Sequence, residues 1–147
     1  MMKNEPIIVE HVYKTPIEEV WKALTDNNEI KKWYFKLEEF KPEVGFKFEF
    51  SGGADDGPQY LHLCEITAII EGKKLAYTWR YDGYPGNSEV SWELFEQGDQ
   101  TLLKLTHTGT ESFAENGPNF TKTSFNGGWN YFVNDALKNY LEPEAKI

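Results

Sequence analysis

The chain has 147 residues, 39% hydrophobic and 27% charged, which is the size and balance of one globular domain able to bury a core. Lys and Arg number 15 against 24 Asp and Glu, a net charge of −9 with Arg80 the only arginine; this excludes a nucleic-acid surface, an anionic-membrane surface and a multi-arginine phosphate clamp. Cys64 stands alone, excluding an intrachain disulfide and a multi-cysteine metal site, and apolar runs of three or four residues fall far short of the ~20 that span a bilayer.

The opening Met1-Met2-Lys3-Asn4-Glu5-Pro6 has no signal-peptide apolar run, so a cytoplasmic protein is expected. Pro6 to Tyr13 is β-branched and apolar and reads as a strand whose inward parity the pattern leaves open. Thr15-Pro16-Ile17-Glu18 has the form of a capping box, with Thr15 as cap, Pro16 at the first helical position and Glu18 reaching back. Val20, Trp21 and Leu24 then share a helical face, and Asp26 to Glu29 repeats the start signal for a short second helix through Ile30 and Trp33.

From there the pattern is β. Val44, Phe46, Phe48 and Phe50 alternate on one face, and Gly52 to Pro58 is a turn cluster. Tyr60 to Ile70 is a long strand with imperfect alternation, so a bulge is expected. Glu71-Gly72-Lys73 turns into a strand carrying Leu75, Tyr77, Trp79 and Tyr81 on one face. Val90, Trp92 and Leu94, then Leu103, Leu105 and His107, mark two more strands joined at Gln97-Gly98-Asp99. Gly109 to Pro118 reads as a polar loop with an exposed aromatic, Phe113, and as a candidate lid. Trp129, Phe132, Val133, Ala136, Leu137, Tyr140 and Leu141 form an i, i+3, i+4 stripe on a C-terminal helix that Pro143 ends. The sum is an α+β domain spanning 1–147, with about six to seven antiparallel strands curved around the long C-terminal helix, whose apolar stripe has the sheet as its only large partner.

Several blocks in this order resemble a known family. Thr15–Asp26 (Thr-Pro-Ile-Glu-Glu-Val-Trp-Lys-Ala-Leu-Thr-Asp) with Ile30 and Lys32-Trp33-Tyr34 is similar to the opening of Hsp90-ATPase-activator-homologue-1-like domains, members of the START/Bet v 1-like (SRPBCC) superfamily. Val44-Gly45-Phe46, Leu75-Ala76-Tyr77-Thr78-Trp79, Leu103 to Gly109, and Gly128-Trp129 through Asn139-Tyr140-Leu141 resemble its later blocks. Phe46 stands where many relatives carry a second glycine. The resemblance implies a helix-grip fold with a cavity between sheet and helix. It does not imply one activity, since the superfamily includes lipid and hormone carriers, aromatase/cyclases and co-chaperone domains.

The residues themselves favour binding over catalysis. The sequence contains no nucleophile elbow, HExxH, phosphate-cradling glycine loop or dinucleotide fingerprint. His62 and Cys64 share a strand face but two ligands do not make a metal site, and Asp55-Asp56 in the glycine loop reads as solvated; no metal or cofactor is expected. Aromatic residues are 16% of the chain. Those on inward faces, Phe46, Phe48, Tyr77, Trp79, Trp92, Trp129 and Phe132 with Val133, are the expected walls of a cavity for an apolar or aromatic small molecule, and Tyr77 and His107 its polar handles. His107 also reads as a core histidine held by a structural hydrogen bond, the more frequent role. Gly127-Gly128 costs helix stability, and close backbone approach or a hinge for ligand access would explain it. The expected protein is a small-molecule-binding domain, monomeric or weakly dimeric. The alternatives are a chaperone-interaction module or a cyclase- or hydrolase-like enzyme with His107 as acid/base.

Overall fold

The computed structural model describes residues 6–34, 39–53, 59–116, 120 and 122–142. The elements run β1 (Ile7–Tyr13), α1 (Ile17–Thr25), α2 (Asn27–Ile30), β2 (Lys47–Gly53), β3 (Gln59–Ile70), β4 (Lys74–Tyr81), β5 (Ser88–Gln97) and β6 (Gln100–Thr108). A 3-10 helix follows (Thr110–Asn116). The chain then forms a C-terminal helix made of α3 (Lys122–Asn130), a π-helical stretch (Tyr131–Ala136) and α4 (Leu137–Leu141). Among the described residues the six strands form one antiparallel sheet in the order β1-β6-β5-β4-β3-β2. Hairpins join β2 through β6 in sequence, and β1 closes against β6 with Val9 opposite Leu105. None of these helices is long and apolar enough to cross a membrane.

Strand periodicity settles which face is inward. Ile7, Val9 and Tyr13 are buried while Ile8, Glu10 and Val12 are exposed, giving β1 the parity that its sequence left open. Leu75, Tyr77, Trp79 and Tyr81, then Val90, Trp92 and Leu94, then Leu103, Leu105 and His107 all point to the concave face. The expected irregularity of β3 is a register shift between Ile66 and Ala68.

Local details depart from the pattern in physically readable ways. The capping box at Thr15 does not form: α1 starts after Pro16, no side chain caps it, and Thr15 is buried with its carbonyl accepting from Thr101 Oγ1 at 2.8 Å. Asp26 does cap α2, accepting from the Asn28 backbone N–H at 2.8 Å. Val44 does not join the β2 face; the strand begins at Lys47, Gly45 turns with φ +92°, and Val44 stays exposed.

Phe113 is not exposed. It is fully buried against Tyr81 and Phe125, with ring centroids 5.2 and 5.7 Å away. Ser112 Oγ donates to the carbonyls of Asn87 and Gly109, and Asn116 Nδ2 donates to Pro85. This segment is tied down rather than poised as a lid. Gly127 and Gly128 are exposed, and a Cβ on either meets nothing within 4 Å, so close backbone approach does not explain them. Asp55-Asp56, Pro118 and Pro143 lie outside the described residues.

The C-terminal helix buries Phe125, Trp129, Val133 and Leu137 on the concave face. Its interior is not uniform α: the Leu137 N–H reaches back five residues to the Phe132 carbonyl. β1 pins this wider stretch. Tyr13 donates its hydroxyl to the Val133 carbonyl at 2.5 Å, and His11 Nδ1 meets Asn134 Oδ1 at 2.8 Å.

Candidate functional site

The space between sheet and helix is walled by rings from four directions. β2 supplies Phe48 and Phe50, β4 and β5 supply Tyr77, Trp79 and Trp92, the C-terminal helix supplies Trp129 and Phe132, and the turn after α2, which ends at Ile30 rather than running through Trp33, brings Trp33 and Tyr34. Trp33 is fixed by its indole N–H donating to the Ala23 carbonyl at 2.9 Å, and it meets Trp92 edge-on at 5.7 Å. Tyr34 lies at the centre, with centroids 4.9 Å from Phe132, 6.1 Å from Trp92 and 6.5 Å from Trp129. Edge-to-face geometry dominates, as the ring quadrupoles favour.

These rings nearly fill the space. A cavity of about 20 Å³ remains among Leu24, Ile30, Trp33, Tyr34, Phe40, Phe48, Leu75, Tyr77 and Trp92. That volume suits about one water. Its polar groups are grouped: the Trp92 indole N–H donates to Tyr77 Oη at 3.0 Å, and the Tyr34 and Tyr77 hydroxyls lie 3.2 Å apart. Burial pushes both phenols up, so they are neutral at all ordinary pH.

His107 belongs to a neighbouring group, and its hydrogen bonds run in one direction. Trp129 Nε1–H donates to Nδ1 at 2.9 Å, so the ring proton sits on Nε2, which faces Ser88 Oγ at 2.8 Å. Ser88 Oγ in turn donates to the Trp79 carbonyl at 2.8 Å. Burial lowers the imidazole to about 3, so it is neutral and both nitrogens are committed. His62 is a second buried neutral histidine, lowered to about 4 by burial and stacked on Phe50 at 4.6 Å.

Of the residues picked out by sequence, Phe48, Tyr77 and Trp92 line the cavity directly, and Phe132 packs over Tyr34 beside it. Trp79, His107 and Trp129 form the adjoining hydrogen-bonded group, with Trp79 and Trp129 centroids 5.1 Å apart. Val133 is buried, its carbonyl bound by Tyr13. Phe46 is half-buried against Phe40 at 6.1 Å and lines an outer groove instead. Trp33, Tyr34 and Phe40 are cavity residues that the inward-face pattern of the strands does not single out; the paired aromatics Trp33-Tyr34 just after α2 are the available signal. The outer groove is larger, about 650 Å³, along β2, β3 and β4. It is open and flanked by Lys47, Glu49, Glu65 and Arg80, so an apolar ligand there would lose little contact with water.

A family model described as activator of Hsp90 ATPase homolog 1-like protein matches residues 14–142. The chain belongs to that family. Its structural neighbours are SRPBCC-type proteins, consistent with the helix-grip arrangement of sheet and C-terminal helix. It is similar to protein MLL2253 from Mesorhizobium loti, 26% identical over 95% of this chain and 98% of that one, with a TM-score of 0.75. CalU16 from Micromonospora echinospora is 28% identical over 93% of this chain and 74% of its own, with a TM-score of 0.70. Protein CV1439 from Chromobacterium violaceum shares the fold at 21% identity, covering 98% of this chain and 100% of its own, TM-score 0.77. No curated protein matches the chain.

Proposed function

We propose that this family member is a small-molecule-binding domain whose ligand is apolar or aromatic and enters the chamber beneath the C-terminal helix. The observation that carries this reading is the grouping of the Tyr34, Tyr77 and Trp92 polar atoms inside an otherwise aromatic enclosure. Such a group orients one oxygen of a flat ligand while the rings remove its apolar area from water, at roughly 25 cal/mol per Å² before binding costs.

In the closed state Tyr34 and Phe132 occupy the ligand's place. Both are half-buried: Tyr34 follows a one-turn helix, and Phe132 lies in the π-helical stretch whose next residues, Val133 and Asn134, are held by β1, so making room there takes rotation of the Phe132 ring rather than movement of that backbone. His107 has no free ring nitrogen, which argues against its serving as acid or base.

A thermal-shift screen with flavonoid-like, fatty-acid and polyketide-like compounds tests the reading. A ligand at 100 times its Kd adds roughly 2.7 kcal/mol to the native state. A hit whose shift shrinks in Tyr77→Phe supports it. The chaperone-docking alternative predicts instead an interaction with an Hsp90-type protein that is indifferent to that substitution.

A further inference from the structure

The outer, convex face of the sheet carries a row of four charges in cross-strand register. Glu10 of β1 is opposite Lys104 of β6, Lys104 is opposite Glu93 of β5, and Glu93 is opposite Lys74 of β4. The row therefore reads minus, plus, minus, plus. None of the four forms an ion pair; the pairs among the described residues are Glu29–Lys32 and Glu39–Lys41.

The flanking rows are apolar or small. On one side Val12, Leu102 and Phe95 are register neighbours, with Val12 and Phe95 exposed by 42% and 45%. On the other side Ile8, 49% exposed, begins a row continuing through Thr106, Ser91 and Ala76. The last three help to line a hollow of about 170 Å³.

We propose that this face is a dimer interface with a second copy of the chain, related by a two-fold axis parallel to the strands between β5 and β6. A minus-plus-minus-plus row is the complement of its own reverse, and that axis reverses it. Lys104 then meets the partner's Glu93, and Glu10 meets the partner's Lys74. In the same operation Leu102 meets the partner's Phe95, and Ile8 drops toward the partner's Ala76 and its hollow. One axis satisfies the charged row and both flanking rows, as an isologous contact requires. Twisted sheets pack face to face with strands nearly aligned, within about 30°. The row is also locally neutral in a chain of net charge −9, so these four charges add no net repulsion between two copies.

Sedimentation equilibrium of the full chain from micromolar to millimolar concentration tests the proposal, and it is independent of ligand binding in the chamber. The wild type is expected to dimerise reversibly. Lys104→Glu or Glu93→Lys alone weakens the dimer about tenfold or more, and the double exchange restores it. Glu10→Lys, exposed on the edge strand, weakens it without touching the central strands. A role confined to cross-strand pairing within one chain would move the melting temperature but not the mass. A wild type that stays monomeric throughout, or a dimer indifferent to these reversals, overturns the proposal.

Discussion

The indole N–H of Trp129 donates to Nδ1 of His107 across 2.9 Å, tying the C-terminal helix to β6 through a fully buried imidazole. This bond leaves Nε2 to carry the proton toward Ser88. Nitrogen-15 NMR of the histidines is therefore expected to show His107 as the neutral Nε2–H tautomer. Trp129→Phe keeps a ring but strands the acceptor, at a cost of about 1–3 kcal/mol in urea unfolding.

Acid sensitivity follows from the two buried histidines. His107 and His62 are held at about 3 and about 4 in the folded chain, below the 6.5 of a free imidazole. The unfolded chain thus takes up protons that the folded chain refuses. Their contribution is full well above pH 6.5 and is lost as pH falls from there to about 4 for His62 and about 3 for His107, with a slope of up to about 1.4 kcal/mol per pH unit for each histidine. Melting curves between these limits should flatten in a well-folded His62→Phe variant. An unchanged slope would show that His62 takes up its proton as readily in the native state as in the unfolded chain.

Tyr13 anchors the π-helical stretch through the Val133 carbonyl. Tyr13→Phe is expected to cost about 1–2 kcal/mol and to speed amide exchange in the segment after Val133, with the rest of the sheet unaffected. Uniform acceleration across the protein would mean the bond serves global stability alone.

Gly127 and Gly128 sit in a helix with open space beside them. Replacement by Ala should stabilise each position by about 0.5–1 kcal/mol, since no contact opposes the gain in helix propensity. If these glycines serve as a hinge for ligand access, the same variants bind more slowly while melting higher. Faster or unchanged association removes the hinge role.

Much of this architecture is legible because alternation with period two is written plainly into β4, β5 and β6, where the buried inward positions are apolar apart from Ser88, Thr101 and His107. The C-terminal stripe was equally clear, but the π-helical stretch within it was not, because Phe132-Val133 and Ala136-Leu137 fit an α-helical stripe as well. Thr15 looked like a cap by type, yet tertiary demand won when Thr101 claimed its carbonyl. Phe113 reads as exposed in the sequence because its neighbours are polar, and only the fold brings Tyr81 and Phe125 against it. The chamber was expected from the inward aromatics, but its fullness depends on Tyr34, brought in by a turn whose direction no periodicity encodes.

The most direct test of the binding account is a titration with a neutral naphthol, followed by tryptophan fluorescence and by ligand-to-protein NOEs. Trp33, Trp92 and Trp129 surround Tyr34 and Phe132, so an aromatic guest cannot enter without changing their emission. The account predicts saturable quenching with NOEs to Tyr34, Tyr77 and Phe48, strengthened in Phe132→Ala where the plug is removed. No saturable signal in either the wild type or the folded Phe132→Ala variant would mean that the chamber is core, and would contradict the binding account.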